Sequence, residues 1–318
     1  MNMFRHKQHA LILSCALSAF GCLPGVAMAG HGDSESGPRH LPTEQYNKQI
    51  VTKLAANMLG TTDLDSLGHY FAPFLIQHDP LVPNGRAAML ANINQMRQVA
   101  PAQALTVKHI LADRDLVFVH AQVSATPVNE MSGINRWDVY RLDHGVIVET
   151  WSVKAKAPTK SANGNSQFSN LYKYPVPPLP LTDERVEMNR LMVKGLSEDV
   201  FSRRKFGLLD TMWGTDYIQH NPAVKSGRAA LAAVIEYIAP EGGIYRVTRS
   251  IADGDLSMVC AQGNDPGANP KDEFSGWVVC DMYRVDNFQL VEHWDVGQNV
   301  PSTSINGNSM FSNLYRRY

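Results

Sequence analysis

Apolar residues recur along the chain at two spacings, first that of a helix and then that of a strand. In residues 44–59, Ile50, Leu54 and Met58 fall on one helical stripe, and Thr43 is a candidate N-cap. The same spacing predicts further helices over residues 87–96, 184–196, 198–212 and 229–237.

The spacing changes to two in the later part of each half. Residues 105–123 and 137–153 are rich in β-branched and aromatic residues and are interrupted by turns such as Asp113-Arg114. The second half repeats this pattern, with turns at Asp253-Gly254 and Asp286-Asn287. Helices that precede a meander predict an α+β fold, with helices packed on one face of a curved antiparallel sheet. A sheet curved in this way encloses a cone-shaped cavity that suits an apolar ligand.

The two halves also repeat each other residue by residue. Residues 163–172 (NGNSQFSNLY) and 306–315 (NGNSMFSNLY) match at nine of ten positions, and 137–153 corresponds to 280–296. A repeat of about 140 residues has the size of a whole domain. We therefore expect two tandem domains and a Pro-rich, semi-rigid linker, over residues 41–174, 183–318 and 175–182 respectively. The matching segment predicts a turn before a terminal apolar anchor.

The N-terminal segment has the pattern of a targeting sequence. A short basic stretch precedes an apolar run that ends in Ala27-Met28-Ala29, which predicts a cleaved signal peptide over residues 1–29. A membrane anchor and a lipoprotein attached through Cys22 are the alternatives. Residues 30–40 are polar and predict a disordered lead. No later stretch approaches the roughly 18 apolar residues of a spanning helix, so we expect a periplasmic or secreted protein without a membrane contact after cleavage.

Composition narrows the partners and the chemistry. The net charge of −1 and the scattered basic residues give no indication of a nucleic-acid partner. Cys260 and Cys280 lie on two strand-like runs, and in an oxidising compartment they predict a cross-strand disulfide, with two buried thiols as the alternative. Metal-ligand spacing, a phosphate-binding loop and a nucleophile elbow do not occur in the sequence, so we expect neither a metal nor a cofactor.

Several motifs together resemble a known family. They are Tyr217-Ile218-Gln219-His220-Asn221-Pro222, Gly227-Arg228, Asp281-Met282-Tyr283-Arg284, Val291-Glu292-His293-Trp294-Asp295-Val296 and the Asn-Gly-Asn-Ser-x-Phe ending. They are similar to the SnoaL-like, polyketide cyclase-like branch of the nuclear-transport-factor-2-like superfamily. The resemblance covers both copies and implies two cone-shaped domains. Because family members are commonly dimers, it also implies an intramolecular pseudo-dimer. It does not specify the reaction, since this fold hosts dehydratases, isomerases, cyclases and binding modules.

The resemblance implies metal-free acid–base chemistry on a small apolar carbonyl compound, which needs two titratable groups with different pKa values in one cavity. The candidate catalytic residues are His220, Asp281, His293 and Asp295. The candidate ligand contacts are Tyr217, Tyr283, Trp294, His78 and Asp138.

Structural roles are the alternative for each of these residues. His220 and His78 could fix a turn, Asp281 and Asp138 could pair with neighbouring arginines, and Tyr283 and Trp294 could belong to the core. His293 and Asp295 share one face of a strand, and the alternative for both is an exposed sheet face.

The position of Asp281 depends on the hairpin register. A two-residue Asn287-Phe288 loop pairs Asp281 with Trp294, whereas a three-residue loop or one bulge pairs it with Asp295. Phe288 is a poor residue for a tight primed turn, which favours the longer loop.

The first copy lacks two of the candidate groups. Thr150 and Ser152 stand where the second copy has His293 and Asp295, so any catalysis is expected in the second copy.

Two functions remain open: an exported, cofactor-free lyase, isomerase or aldol-type cyclase, and a non-catalytic small-molecule binding or protein-interaction module. Assembly through exposed sheet faces is a third alternative.

Overall fold

The computed structural model describes residues 39–60, 63–178 and 180–316. The predicted signal peptide and residues 30–38 of the predicted lead lie outside the described residues. The first helix begins at Leu41, and its cap is the side chain of His40 rather than that of Thr43, since Nδ1 of His40 accepts the N–H of Thr43 at 3.4 Å. No helix in the described ranges is both long enough and apolar enough to cross a membrane.

The two copies have the same order of strands, but the second has an additional short helix before its first strand and two short helices in place of the second α-helix of the first. The first consists of α1 (Leu41–Met58), a 3-10 helix (Asp65–Tyr70), β1 (Phe71–Gln77), α2 (Arg86–Val99), β2 (Ala104–Asp113), β3 (Leu116–Ser124), β4 (Ile134–Asp143) and β5 (Val146–Lys156). The second consists of α3 (Asp183–Phe201), a 3-10 helix (Phe206–Leu208), α4 (Leu209–Met212), β6 (Trp213–Gln219), α5 (Arg228–Ala232), α6 (Ile235–Ile238), β7 (Ile244–Asp253), β8 (Leu256–Asn264), β9 (Trp277–Asp286) and β10 (Gln289–Asn299). The described part of the predicted linker contains neither helix nor strand.

Each copy forms a five-stranded mixed sheet. The strand orders are β1-β5-β4-β3-β2 and β6-β10-β9-β8-β7, and β1 and β6 run parallel to their neighbours while the other pairs are antiparallel. The predicted α+β fold with two tandem domains is confirmed, and the parallel edge strand is an addition to it. The helix predicted over residues 198–212 is interrupted, because α3 ends at Phe201 and Arg204 takes a φ of 55°.

The two sheets pack face to face, and their inner faces form one apolar core between the copies. This core contains Phe118, Trp137, Trp151, Met258, Trp294 and Phe311. The outer face of each sheet is covered by the helices of its own copy. The inner sheet faces are therefore buried within the chain, which removes the hypothesis of assembly through exposed sheet faces. The predicted disulfide between Cys260 and Cys280 lies in this core, between directly opposed residues of β8 and β9.

The near-identical segments are exchanged between the copies. Residues 163–172, which we call arm one, contact the second copy, and residues 306–315, arm two, contact the first. Nδ2 of Asn163 donates to the carbonyls of Asn221 and Val224 at 2.6 and 2.8 Å. Nδ2 of Asn306 makes the corresponding bonds to residues 79 and 82 at 2.7 and 2.9 Å. The predicted turn is present, and its asparagines bond to the other copy. Of the predicted apolar anchor, Phe168 and Phe311 are buried, and Phe168 stacks on His120 of its own copy, whereas Leu171 and Leu314 are exposed.

Candidate functional site

The hairpin between β9 and β10 decides which side chains meet. Its loop is the two-residue turn Asn287-Phe288, with φ values of 46° and 64°, and a bulge at Val291 shifts the register beyond it. Asp281 therefore lies opposite Asp295, and Tyr283 lies opposite His293. The preference for a longer loop was wrong and the bulge alternative is correct.

Phe288 has a left-handed backbone conformation, and its ring makes a cation–π contact. The guanidinium of Arg185 lies 3.3 Å from the centroid of its ring. A contact of this kind is worth about 0.5–1 kcal/mol at an exposed site, which offsets part of the strain of a bulky residue with positive φ.

The second copy encloses a cavity of about 200 Å³ between its helices and the outer face of its sheet. Its apolar wall includes Phe201, Val224, Leu231, Ile238 and Val279. Its polar wall comprises Tyr217, Gln219, Asn221, Tyr245, Asn264, Asp281, Tyr283, His293 and Asp295. Five of the nine predicted site residues thus line one cavity: Asp281, His293, Asp295, Tyr217 and Tyr283.

A chain of hydrogen bonds fixes the tautomer of His293. Nδ1 of His293 lies 2.7 Å from Oε1 of Gln219, and the same oxygen accepts the backbone N–H of Asn221 at 2.8 Å. Because that backbone group can only donate, Oε1 is an acceptor and Nδ1 of His293 must carry a proton. Nε2 of His293 then faces Oδ1 of Asp281 at 3.0 Å, so one proton is shared between the two groups. The hydroxyl of Tyr245 donates to Oδ2 of Asp281 at 2.6 Å.

Asp295 completes the cluster and differs from Asp281 in its surroundings. Burial raises the pKa of Asp295 above its usual value and the Asp281 carboxylate raises it further, while His293 and Asn221 oppose the shift. Nδ2 of Asn221 donates to Oδ2 of Asp295 at 2.5 Å. One ligand atom from each of Asp281, His293 and Asp295 lies within 4.8 Å of the others. Two proton-binding groups with separate environments therefore face one cavity.

Tyrosine hydroxyls supply neutral donors on the same wall. Burial raises the pKa of Tyr217, Tyr245 and Tyr283 well above the usual value, so all three keep their protons at neutral pH.

Two carboxylates and an imidazole could also bind a divalent cation. Both nitrogens of His293 already face oxygen atoms, 2.7 and 3.0 Å away. A metal site needs ligand atoms that point to one common centre, and these point at each other. The geometry fits a shared proton better than a metal ion, and the metal-free site stays a prediction.

The structure corrects the prediction for His220. This residue follows Gln219 and points to the opposite face of the sheet, where its ring stacks on Trp294 with centroids 4.9 Å apart. Its Nε2 lies 3.0 Å from Oε1 of Glu292, and its Nδ1 lies 2.6 Å from the carbonyl of Ser166 in arm one. Both His220 and Trp294 therefore join the two copies and do not line the cavity.

The candidate contacts of the first copy are corrected in the same way. His78 stacks on Trp151 and lies 2.6 Å from the carbonyl of Ser309, so it repeats the role of His220. Asp138 accepts from Nε of Arg136 at 2.6 Å, which makes it an ion partner, although of Arg136 rather than Arg141.

Sequence reasoning missed Gln219, Asn221 and Tyr245 as members of the site. Gln219 and Asn221 flank His220 in the quoted motif, so strand alternation could have placed them opposite to it. Tyr245 lies on β7, three strands from β10 in the sheet, and no local pattern marks it. Leu105 takes its place in the first copy.

Comparison with known proteins agrees with this architecture. Residues 51–150 match the family described as SnoaL-like domain. The first copy therefore carries a SnoaL-like domain, which confirms the resemblance seen in the motifs, and the shared strand order extends the fold to the second copy. No curated protein matches the chain.

Solved structures similar to this chain cover about one copy each. An NTF2-like protein of unknown function from Mesorhizobium loti is 18% identical, covers 37% of this chain and 97% of its own, and has a TM-score of 0.32. A putative ketosteroid isomerase from Kribbella flavida is 16% identical over 36% of this chain and 79% of its own, with a TM-score of 0.30. An LEH-like epoxide hydrolase from M. tuberculosis is 16% identical over 36% of this chain and 84% of its own, with a TM-score of 0.30.

Proposed function

We propose that the second copy is a cofactor-free acid–base site for a small, mostly apolar carbonyl compound, acting as a lyase, isomerase or aldol-type cyclase. The observation that carries this proposal is the cluster of Asp281, His293 and Asp295 on one wall of a small, otherwise largely apolar cavity. The cavity of about 200 Å³ lies below the roughly 300–1,000 Å³ of drug-sized sites, which limits the substrate to a small molecule.

Asp295 is the base in this proposal. A carboxylate whose pKa is raised by burial is a stronger base than an exposed one, so it can remove a proton from the carbon next to the carbonyl. The pair of His293 and Asp281 holds one proton between its two members. It donates this proton to the substrate carbonyl oxygen, on which negative charge develops. Tyr245 and Gln219 hold the two ends of this pair.

In an isomerase the proton taken by Asp295 is delivered to another carbon. In an aldol-type cyclase the deprotonated carbon bonds to a second carbonyl carbon, whose C=O π bond breaks and whose oxygen takes the proton. In a lyase the bond to a leaving group on the next carbon breaks and that group takes the proton. Each of these changes is redox-neutral, so no electron acceptor is needed.

The chain works in this proposal as an exported intramolecular pseudo-dimer. A disulfide inside the fold suits an oxidising compartment, in agreement with the signal-like pattern of residues 1–29. The packing of two homologous sheets through one core supports the view that the tandem copies take the place of two subunits.

A non-catalytic binding module is the second candidate. It is favoured by the first copy, in which Thr150 and Ser152 replace the acid–base groups on the same scaffold. Binding without turnover would then be the function of both cavities.

Hydrogen–deuterium exchange at carbon distinguishes the two candidates. The mature protein is incubated in D₂O with a panel of small ketones and enones, and deuterium uptake next to the carbonyl is followed by NMR. We expect catalysed exchange that falls by about 10²–10⁴ in Asp295→Asn, while Ser152→Ala, the matched change in the first copy, keeps it. If a panel member binds but exchanges equally fast with wild type and Asp295→Asn, the enzyme proposal is wrong and the binding module is favoured.

A further inference from the structure

The first copy has its own cavity, and its lining differs in kind from that of the second. The cavity is about 550 Å³ in volume, within the usual range for small-molecule sites. Its apolar lining includes Leu59, Val82, Met96, Val99, Val123 and Ile134. Its charged lining residues are the cations Arg136 and Lys154 and the acid Asp79.

These two cations are directly opposed on neighbouring strands. Arg136 on β4 lies opposite Lys154 on β5 in the antiparallel register, so two residues of like charge are cross-strand neighbours. Like charges at opposed positions destabilise a sheet. Each has one carboxylate partner: Nε of Arg136 donates to Asp138 at 2.6 Å, and Nζ of Lys154 to Asp79 at 2.9 Å. The pair therefore keeps donors that a further anion could use.

The guanidinium of Arg136 is buried and only partly bonded. The residue is 7% exposed, and among the described residues the one hydrogen-bond partner of its Nη1 is the sulfur of Met96, at 3.5 Å. Within the described ranges, Nη2 has no acceptor, although a guanidinium offers five N–H donors in a planar fork that matches a carboxylate. An oxygen ligand in the cavity would give this side of the guanidinium an acceptor.

The second copy has neither cation at the equivalent positions. Val279 and Gly297 form the cross-strand pair that corresponds to Arg136 and Lys154. The next pair on the same sheet face is Asp138 and Ser152 in the first copy and Asp281 and Asp295 in the second. Relative to the second copy, the first has Ser152 in place of Asp295 and Asp79 in place of Asn221, so the number of acidic groups is unchanged. The two basic residues are additional, which favours an anionic group in a ligand of the first cavity.

We propose that the cavity of the first copy binds a small organic carboxylate with an apolar body, whose carboxylate lies between Arg136 and Lys154. The apolar residues of the cavity cover the carbon skeleton. This site is independent of acid–base chemistry in the second copy, so the chain carries two ligand sites of different specificity.

Calorimetric titration of the mature chain with benzoate, phenylacetate and cinnamate, each beside its primary amide, tests the proposal. The amides keep the shape and remove the charge. We expect at least one carboxylate to bind ten times or more tightly than its amide, and its binding to weaken on raising the salt concentration.

Variants locate the site. Lys154→Gln removes a half-exposed charge at little risk to folding, and we expect it to weaken carboxylate binding about tenfold. Arg136→Lys keeps a charge beside Asp138 but removes the fork, and we expect a similar loss. Lys225→Gln makes the same charge change at an exposed position of the second copy and should have no effect. If carboxylates and amides bind alike, or if Lys154→Gln and Lys225→Gln behave alike, the proposal is overturned.

Discussion

Arm one, which belongs to the first copy, positions residues of the candidate site in the second copy. The substitution Asn163→Ala tests whether the site depends on this arm. The side chain of Asn163 donates to the carbonyls of Asn221 and Val224 and accepts the N–H of Asn165 at 2.8 Å. Nδ2 of Asn165 in turn donates to the carbonyl of Gln219 at 2.9 Å. Since Gln219 and Asn221 bond to His293 and Asp295, the arm positions the cluster without touching it.

The expected loss of stability follows from the three hydrogen bonds of this amide. A typical bond contributes about 1 kcal/mol net, and the position is only partly buried, so water recovers part of the loss. We expect Asn163→Ala to lower the free energy of unfolding by about 2 kcal/mol. Asn306→Ala is the matched control, because Asn306 makes the same three kinds of bond to the first copy.

Two measurements separate stability from positioning. Urea unfolding should give similar losses for both variants, whereas the imidazole ¹H–¹⁵N signals of His293 should change only in Asn163→Ala. Equal changes at His293 in both variants, or none in either, would refute the reasoning that arm one positions the cluster.

Two further predictions concern the core between the copies. Replacing Cys260 and Cys280 by Ser removes a disulfide that joins residues separated by 20 positions in sequence. We expect urea unfolding to show that the free energy of unfolding falls by about 3 kcal/mol, because the unfolded chain is no longer constrained. A clearly smaller loss would contradict this chain-entropy argument. His109 and His120 are buried with their Nδ1 atoms 2.9 Å apart, and burial lowers the pKa of His109 from 6.5 to about 4. The unfolded chain therefore binds this proton first, so stability should fall by about 3 kcal/mol as the pH drops from about 6.5 to about 4. His109→Gln should flatten that part of the pH profile, and an unchanged profile would exclude the histidine as its source.

The fold was predictable from sequence because its signals are local or repeated. The helices and strands follow from the change in apolar spacing, the turns from their residue types, and the two domains from the internal repeat. None of these predictions needs tertiary information. The disulfide was predictable for the same reason, since Cys260 and Cys280 lie at matching positions of two adjacent runs. Parallel edge strands β1 and β6 were missed, because a short strand between helices pairs with a partner more than 70 residues away.

The site was less predictable because it depends on register and on distant strands. Asp281 reached the face of Asp295 through a bulge at Val291, a feature that the alternating pattern around it does not mark. His220 was assigned to the site on its chemistry alone, although its place next to Gln219 already put the two side chains on opposite faces. Contacts with the other copy then use both of its ring nitrogens.

The exchange of the arms between the copies explains why the cavity-lining residues of the two copies differ while the arm sequences are nearly identical. Asn163 and Asn306 bind main-chain carbonyls of the opposite copy, at residues 221 and 224 and at residues 79 and 82. A carbonyl is present whatever the side chain, so Asp79 and Asn221 can differ at equivalent positions without loss of these bonds. The arms themselves have no such freedom, because their amide side chains make the contacts. Divergence is therefore expected on the cavity faces and near-identity in the arms, which is the distribution that the repeat presents.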